Sequence, residues 1–399
     1  MNNEQCTIFA QTERSSQMHL DDAEVQPKIT QKRSGCVMNN VQFTIYNEQW
    51  KKVKLGEVVV PLKGKLTEQS DCFHDDWKSL INTTAIDGES KTWANPINAV
   101  LCEPDDVLML WDGERSGLVI TGKQGVVGST FARLRPNHEL DGKYLYFFLL
   151  NNFEWIQNRR TGTGVPHAPK DLMRIFQISY PESLPAQRRI AAILTSADKV
   201  IAATQKTIAK YKQIKQGMME DLLNEQCTMN NVQWKKVKLG EVYNFQYGDG
   251  NKNPNNNGDY PIYGANGIIG GYTKFNAVDS VVIGHMGEYA GSVIWANGKH
   301  FVTYNGTITI VKDNNSLYDR FGYFVLLNLD IKKICAGSGQ PFLSYDTLNK
   351  IEISIPDLPE QRRIAAILSG IDAKIAAEEK VLQKYEKVKK GLMERLLES

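Results

Sequence analysis

The phrase "LPAQRRIAAIL" begins at Leu184 and "LPEQRRIAAIL" at Leu358, 174 positions later, with a single difference between Ala186 and Glu360. Each phrase opens a long stretch of helical periodicity, and the two stretches close alike: "YKQIKQGMMEDLL" from Tyr211 is answered by "YEKVKKGLMERLL" from Tyr385. "WKKVKLGEV" stands at Trp50–Val58 and, unchanged, at Trp234–Val242. Ahead of each helical stretch lies a glycine turn, "TGTGVP" (Thr161–Pro166) or "AGSGQP" (Ala336–Pro341). A strand-like run ending in proline follows, "IFQISYP" or "IEISIP". A repeat of this length is a duplicated domain and not a solenoid. The chain is therefore one unit written twice: constant opening, variable region, glycine turn, strand, long helix.

The variable regions, residues 59–160 and 243–335, share little identity. Both are nevertheless rich in glycine, aromatic and β-branched residues, with alternating runs such as "VLMLWDGERSGLVI" and "VVIGHMGEYAGSVIW". "GERSG" (Gly113–Gly117) and "GEYAG" (Gly287–Gly291) occupy the same place within them. Both regions read as mainly β domains of one fold carrying different surfaces.

The helical stretches carry heptad seams. In the first copy the a and d positions are Ile190, Ala197, Thr204, Tyr211, Met218 and Leu194, Ile201, Ile208, Lys215, Leu222. In the second they are Ile364, Ile371, Glu378, Tyr385, Leu392 and Leu368, Ile375, Leu382, Lys389, Leu396. Both copies place a polar residue at the same two seam positions, which lowers stability but fixes register and partner, so the helices are expected to pair with each other. Tyr211 and Tyr385 read as packing residues on that seam. Pro185 and Pro359 suit a first helical residue, where a missing N–H does no harm. Helices of this length span roughly 60 Å. Antiparallel pairing would relate the copies by a pseudo-two-fold axis with one β domain at each end, a caliper matched to the two-fold symmetry of duplex DNA.

Composition narrows the classes of function. A net charge of +2 across 399 residues allows only local basic patches. The six cysteines (Cys6, Cys36, Cys72, Cys102, Cys227, Cys335) form no C-x-x-C pair and have no histidine at zinc-ligand spacing. No apolar run is long enough to span a bilayer, and the opening "MNNEQCTIFAQTERSS" lacks a signal-peptide core. The expectation is a reduced, soluble, cytoplasmic protein. No N-P-P-[FY] or D-P-P-[FY] tetrapeptide is present, "YGDG" (Tyr247–Gly250) is a poor cofactor loop, and "TGKQG" from Thr121 lacks phosphate-loop spacing.

Two duplicated motifs in fixed order, G-[ST]-G-x-P with its strand and then "LPEQRRIAAIL…KYEKVKKGLMERLL", surround two dissimilar domains. This arrangement resembles the specificity (S) subunit of Type I restriction-modification systems, over nearly the whole chain from Met38. "YPIYGANGIIGGY" (Tyr260–Tyr272) with "VVIGHMGEYAGSV" also resembles a target recognition domain of that family. The resemblance implies an α+β fold: two mainly β target recognition domains separated by a pair of long antiparallel helices, an internal duplication with pseudo-two-fold symmetry. It implies a non-catalytic reader of a bipartite double-stranded DNA target. Modification (methyltransferase) subunits, two of them, and restriction (endonuclease/translocase) subunits are the implied partners. S-adenosylmethionine, ATP and Mg would be bound there and not by this chain.

The expected division is an extension over residues 1–37, a first recognition domain over 38–184, a spacer helix over 185–224, a second domain over 225–358 and a distal helix over 359–399. "MNNVQ" at Met38 and Met229, and "NEQCT" at Asn3 and Asn224, make the extension either a relic of recombination or a segment ahead of a natural start at Met38. Its polar, aperiodic composition predicts poor order.

For phosphates, Lys63, Lys65, Arg115, Lys123, Arg133 and Arg135 supply charge. Gln124, Asn253, Asn255, Asn256, Tyr263, Asn266, His285 and Gln340 supply donors and acceptors for base edges. The glycines of "GERSG" and "GEYAG" serve either tight turns or DNA approach. Those of "GTGVP" and "GSGQP" serve either plain strand entry or a backbone phosphate contact. Two other classes stay open. An enzyme could use Asp112, Glu114 and Lys123, or Glu288 with His285, as acid-base or metal groups. A protein- or carbohydrate-binding module fits the Tyr- and Asn-rich second head but does not explain a duplicated spacer.

Overall fold

A computed structural model of the chain describes residues 48–88, 90–162, 164–224, 232–250, 252–335, 337 and 340–397. The expected N-terminal extension and the boundary at residue 38 lie outside these residues, as do Cys6, Cys36 and Cys227. The chain divides into two compact units. One reaches to Ala192 and takes in the chain again from Met393; the other is Ile193–Leu392.

In the first unit the constant opening supplies β1 (Trp50–Lys54), α1 (Leu55–Val58) and β2 (Val59–Lys63). Short strands follow: β3 (Gln69–Ser70), β4 (Lys78–Ile81), β5 (Trp93–Ala94), β6 (Leu101–Cys102), β7 (Val107–Leu110), β8 (Val119–Ile120), β9 (Gly125–Val127) and β10 (Phe131–Pro136). Helices α2 (Gly142–Asn151), α3 (Phe153–Gln157) and α4 (Leu172–Ile175) then lead to β11 (Gln177–Pro181). Strands order as β2-β10-β7-β8 in one sheet and β3-β5-β4-β9-β6 in another. Ile81, Leu108, Leu110, Val127 and Phe131 form a buried core that draws on both.

The strand before the first long helix pairs antiparallel with the constant opening, Trp50 facing Pro181 and Lys54 facing Gln177. Two motifs far apart in sequence are thus one ribbon. The glycine of "LGEV" is explained by close approach, since a Cβ on Gly56 would lie 2.9 Å from the Met173 carbonyl oxygen.

The second unit repeats this plan. β12 (Lys235–Lys238), α6 (Leu239–Val242), β13 (Tyr243–Tyr247), β14 (Tyr260–Gly264), β15 (Gly267–Tyr272), β16 (Ala277–Gly284), β17 (Val293–Val302) and β18 (Gly306–Val311) are followed by α7 (Asp319–Asn328), α8 (Tyr345–Lys350) and β19 (Glu352–Ile355). β12 pairs antiparallel with β19, and the main sheet orders as β13-β18-β16-β17-β14-β15. Its first four strands correspond to the sheet β2-β10-β7-β8. The core gathers Leu239, Tyr243, Ile283, Phe321, Phe324 and Leu348, together with Ile364 and Leu368.

The long helices are α5 (Leu184–Leu222) and α9 (Leu358–Leu397). Each begins one residue before the expected start, so Pro185 and Pro359 are second helical residues and not first; the lost N–H still falls among the unpaired donors of the first turn. The repeated phrase carries a buried clamp. Gln187 donates to the Glu139 and Pro181 carbonyls at 2.9 and 2.8 Å and accepts from Asp141 N–H at 2.8 Å. Gln361 repeats this with Ser316 (3.0 Å), Pro356 (2.8 Å) and Tyr318 N–H (2.8 Å).

Within the second unit, Lys212 meets Glu379 at 2.9 Å, Lys215 meets Asp372 at 2.6 Å and Lys389 meets Asp198 at 2.5 Å. Rising numbers on α5 meet falling numbers on α9, so the helices run antiparallel. Lys215 and Lys389 are one of the two matched pairs of polar seam residues, and their aspartates are likewise 174 positions apart. Sliding by one heptad would leave two largely buried ammonium groups unpaired, which fixes the register.

The seam is less uniform than its heptads. Ile375 and Ile208 are buried, as is Thr204, whose hydroxyl donates to the Val200 carbonyl at 2.9 Å. Ile201, Tyr211, Ile371 and Leu382 are half-buried. Ile364 and Leu368 belong to the second domain core, and Ile190 and Leu194 are as fully buried in the matching turns of α5. Tyr385 is 40% exposed, so it is not the enclosed packing residue expected.

Candidate nucleic-acid interface

Glycines with positive φ shape the loop after β7 and the loop after β16: Gly113 (109°) and Gly117 (95°) in one, Gly287 (74°) and Gly291 (80°) in the other. Only glycine adopts such angles without strain, so these are turn glycines. Each loop is then tied to the glycine turn far along the chain. Gly113 N–H donates to the Pro166 carbonyl at 2.8 Å, and Gly287 N–H to that of Pro341 at 2.9 Å. Ala168 N–H bonds the Trp111 carbonyl at 2.8 Å, and Leu343 N–H that of His285 at 2.9 Å. Trp111 N–H reaches Thr130 at 2.7 Å, as His285 N–H reaches Asn305 at 3.1 Å. The two dissimilar domains therefore share one backbone frame at one place, where the G-E-x-x-G and G-x-G-x-P loops meet.

In the first head this place holds Asp112, with Lys63 Nζ 2.8 Å from one carboxylate oxygen and His167 Nδ1 2.7 Å from the other. Burial alone would raise the Asp112 pKa, but the hydrogen bonds from Lys63 and His167 hold it below the usual carboxylate range. In the second head it holds aromatic rings. Tyr247 stacks on both His285 (4.3 Å between centroids) and Tyr345 (4.0 Å). Burial lowers the His285 pKa, keeping the ring neutral. His167 was not among the residues singled out from sequence; the proline one position before it was the available signal.

Many of the expected contact residues are committed to their own domain. Arg135 forks onto Asp106 at 2.6 and 2.5 Å, and Arg133 donates to the Leu101 carbonyl at 2.6 Å. Arg115 pairs with Asp87 at 3.1 Å, Lys123 donates to the Gly88 carbonyl at 2.9 Å and Gln124 to Glu103 at 3.1 Å. Asn253 and Asn255 brace a turn against Ile269 and Gly271, and Asn256 reaches Thr273. His285 is wholly buried beneath the loop junction, and Tyr263 lies in a sheet core against His300; neither reaches a surface where a base edge could be read. Lys65, Asn266 and Gln340 are exposed on loops.

The acid-base sets do not assemble. Lys123 is spent on Gly88, and His285 is enclosed away from exposed Glu288. Among the described residues no group of three or more His, Cys, Asp or Glu side chains could hold a metal ion, and no helix is long and apolar enough to cross a membrane.

One frame built twice, carrying unlike side chains at the same seat, defines a two-headed recognition protein. The profile of the family described as "Type I restriction modification DNA specificity domain" matches residues 47–213 and again 231–387, and the chain belongs to that family. It is similar to the Type I restriction enzyme MjaVIII specificity subunit of Methanocaldococcus jannaschii, at 26% identity over 88% of this chain and 92% of that protein. It is also similar to the EcoprrI specificity subunit of Escherichia coli, at 25% identity over 58% and 61%. Its fold matches the crystal structure of the Type I restriction-modification S subunit from M. genitalium, with a TM-score of 0.67 at 20% identity, covering 88% and 97% of the two chains. The protein is a DNA specificity subunit of the Type I class, a family that is in general non-catalytic and acts within a complex.

Proposed function

We propose that this chain reads an interrupted double-stranded DNA target, one half with each head, and directs partner subunits to methylate adenine or cut the DNA. The observation that carries this reading is the shared backbone frame with different chemistry in each head. In this reading the paired helices set the number of unread base pairs between the halves, and the assembly works in the cytoplasm. S-adenosylmethionine belongs to the modification subunits, and ATP and Mg to the restriction subunits.

Two modification subunits are favoured by a duplicated cavity at the strand before each long helix and the C-terminal end of a long helix, walled on one side by the variable region. One, of about 340 Å³, is lined by Lys52, Phe148, Trp155, Gln177, Ser179 and Leu397. Its counterpart, of about 480 Å³, is lined by Leu223, Val325, Asn328, Leu329, Glu352 and Ser354. Gln177 and Ser179 on β11 correspond to Glu352 and Ser354 on β19, so one partner surface could engage both.

The test is a genome-wide map of methylated adenines in cells with and without this gene, expecting one bipartite motif that disappears with the gene. The purified chain should transfer no methyl group from S-adenosylmethionine to DNA without a partner. Methylation by the chain alone, or a map that does not change, would overturn the reading.

A further inference from the structure

The loop junction has the same backbone in both heads and opposite chemistry. Lys63 faces Ala132 on β10, one residue past Phe131, whose carbonyl takes the Gly64 N–H at 2.8 Å. Tyr247 faces Thr307 on β18, one residue past Gly306, whose carbonyl takes the Gly248 N–H at 2.9 Å. Lys63 and Tyr247 are therefore structural equivalents. Asp112 and His167 form a single antiparallel bridge across the junction, and Met286 and Phe342 form the same bridge in the second head. The seat thus reads Lys63, Asp112, His167 in one head and Tyr247, Met286, Phe342 in the other.

The side chains differ in kind. Asp112 is mostly buried, while Lys63 and His167 keep 51% and 40% of their side-chain surface exposed. In the second head no charge is present at the seat. Phe342 is 38% exposed and stands edge-on to the buried His285 ring at 5.8 Å, and both His285 nitrogens lack a partner. That ring is an aromatic floor under the exposed one.

We propose that this three-residue seat is a base-reading element of each head: in one half-site Lys63, held beside His167 on Asp112, is presented to an acceptor-bearing base edge, and in the other Tyr247, Met286 and Phe342 are presented to an apolar edge, a thymine methyl. The proposal rests on the reading of the chain as a DNA-reading subunit. A phosphate clamp is the weaker alternative for the first head. The Asp112 carboxylate touches both polar groups, cancels charge and would repel a phosphate, whereas the same bonds pin their rotamers. A fixed lysine donor with little net charge around it suits a base edge, where direction carries the information. Lysine donors match the O6 and N7 acceptors of guanine, and an apolar side chain matches the methyl of thymine.

The test uses the full chain co-expressed with its modification subunit in cells lacking other adenine methylation, with the methylated motif read by single-molecule sequencing. K63Q combined with H167N should relax one or two positions of one half-site, with discrimination there falling roughly tenfold or more and the other half unchanged. F342A should do the reverse. D112N, which keeps shape and frees both neighbours, should loosen the same half as K63Q/H167N and supplies the measurement should the double variant not accumulate. Variants that lower methylation evenly at an unchanged motif, or leave it untouched, would overturn the seat. A parent chain directing no bipartite pattern would overturn the functional reading and the seat with it; a parent pattern with unmoved variants overturns the seat alone.

Discussion

Truncating Gln361 to alanine tests the clamp at the head of the repeated phrase. The side chain is 1% exposed and makes three bonds, donating to Ser316 and Pro356 and accepting from Tyr318 N–H. Removing it leaves one N–H and two carbonyls without their partner. The Pro356 bond is buried and the other two are partly buried, so the cost is about 2–4 kcal/mol for the set, below three full desolvation penalties. A loss at the low end raises the local opening equilibrium roughly thirtyfold. Hydrogen exchange, followed amide by amide, should show Tyr318 and the first turn of α9 losing protection by that factor. Glutamate at this position keeps the acceptor, loses both donors and faces two carbonyls. Its carboxyl would be pushed above its unfolded value, so Q361E should be most stable at low pH and lose stability as pH rises from the unfolded carboxyl value through the raised folded one. Wild-type protection of Tyr318 in Q361A would refute the clamp. Gln187→Ala should produce the same loss at Asp141 and α5.

Other perturbations separate the remaining parts. Replacing Ile375 and Leu382 with Asp, between helix-pairing contacts at Asp372, Glu379 and Lys389, should cost several kcal/mol and abolish directed methylation; normal assembly of this variant would exclude the pairing. Burial tends to raise the Asp106 carboxyl, but the Arg135 fork and the Glu103 N–H outweigh it and hold it below its ordinary 3.8. That stabilisation is present above 3.8 and is lost as pH falls through the depressed value, so R135Q should remove an acid-unfolding step of the first unit in a fluorescence titration. It should also cost about 1–2 kcal/mol at neutral pH, since the buried Asp106 carboxylate keeps only the Glu103 N–H while the lost guanidinium was half exposed. Four residues inserted in register near Thr204 and Glu378 lengthen the helices by roughly 6 Å. The methylated motif should then gain one or two unread base pairs, with both half-sites unchanged, despite lower activity from the heptad stutter.

The duplication, the long helices and the β character of both variable regions were legible in the chain because each is a local signal: identical phrases, heptad spacing, alternation bounded by glycine. That the helices pair with each other was legible too, since both copies interrupt the seam with a polar residue at the same two places; the antiparallel direction came from the family resemblance. Which charges remain available to DNA was not legible. Arg135, Arg115 and Gln124 meet carboxylates 21 to 29 residues away, and no periodicity in "FARLRP" says that Asp106 will be opposite. His285 looked like a polar residue on a glycine loop, and only the return of Phe342 and Leu343 over it decided its burial. The seat itself joins residues 55 positions apart at Asp112 and His167, and their pairing depends on two loops being delivered to one place by the sheet and by the strand that leads into each long helix. Sequence by itself determined the repeated plan, because backbone periodicity is written residue by residue. Tertiary structure alone decided which side chains are spent inside each head and which face outward, because burial and ion pairing depend on partners that the chain brings together only when folded.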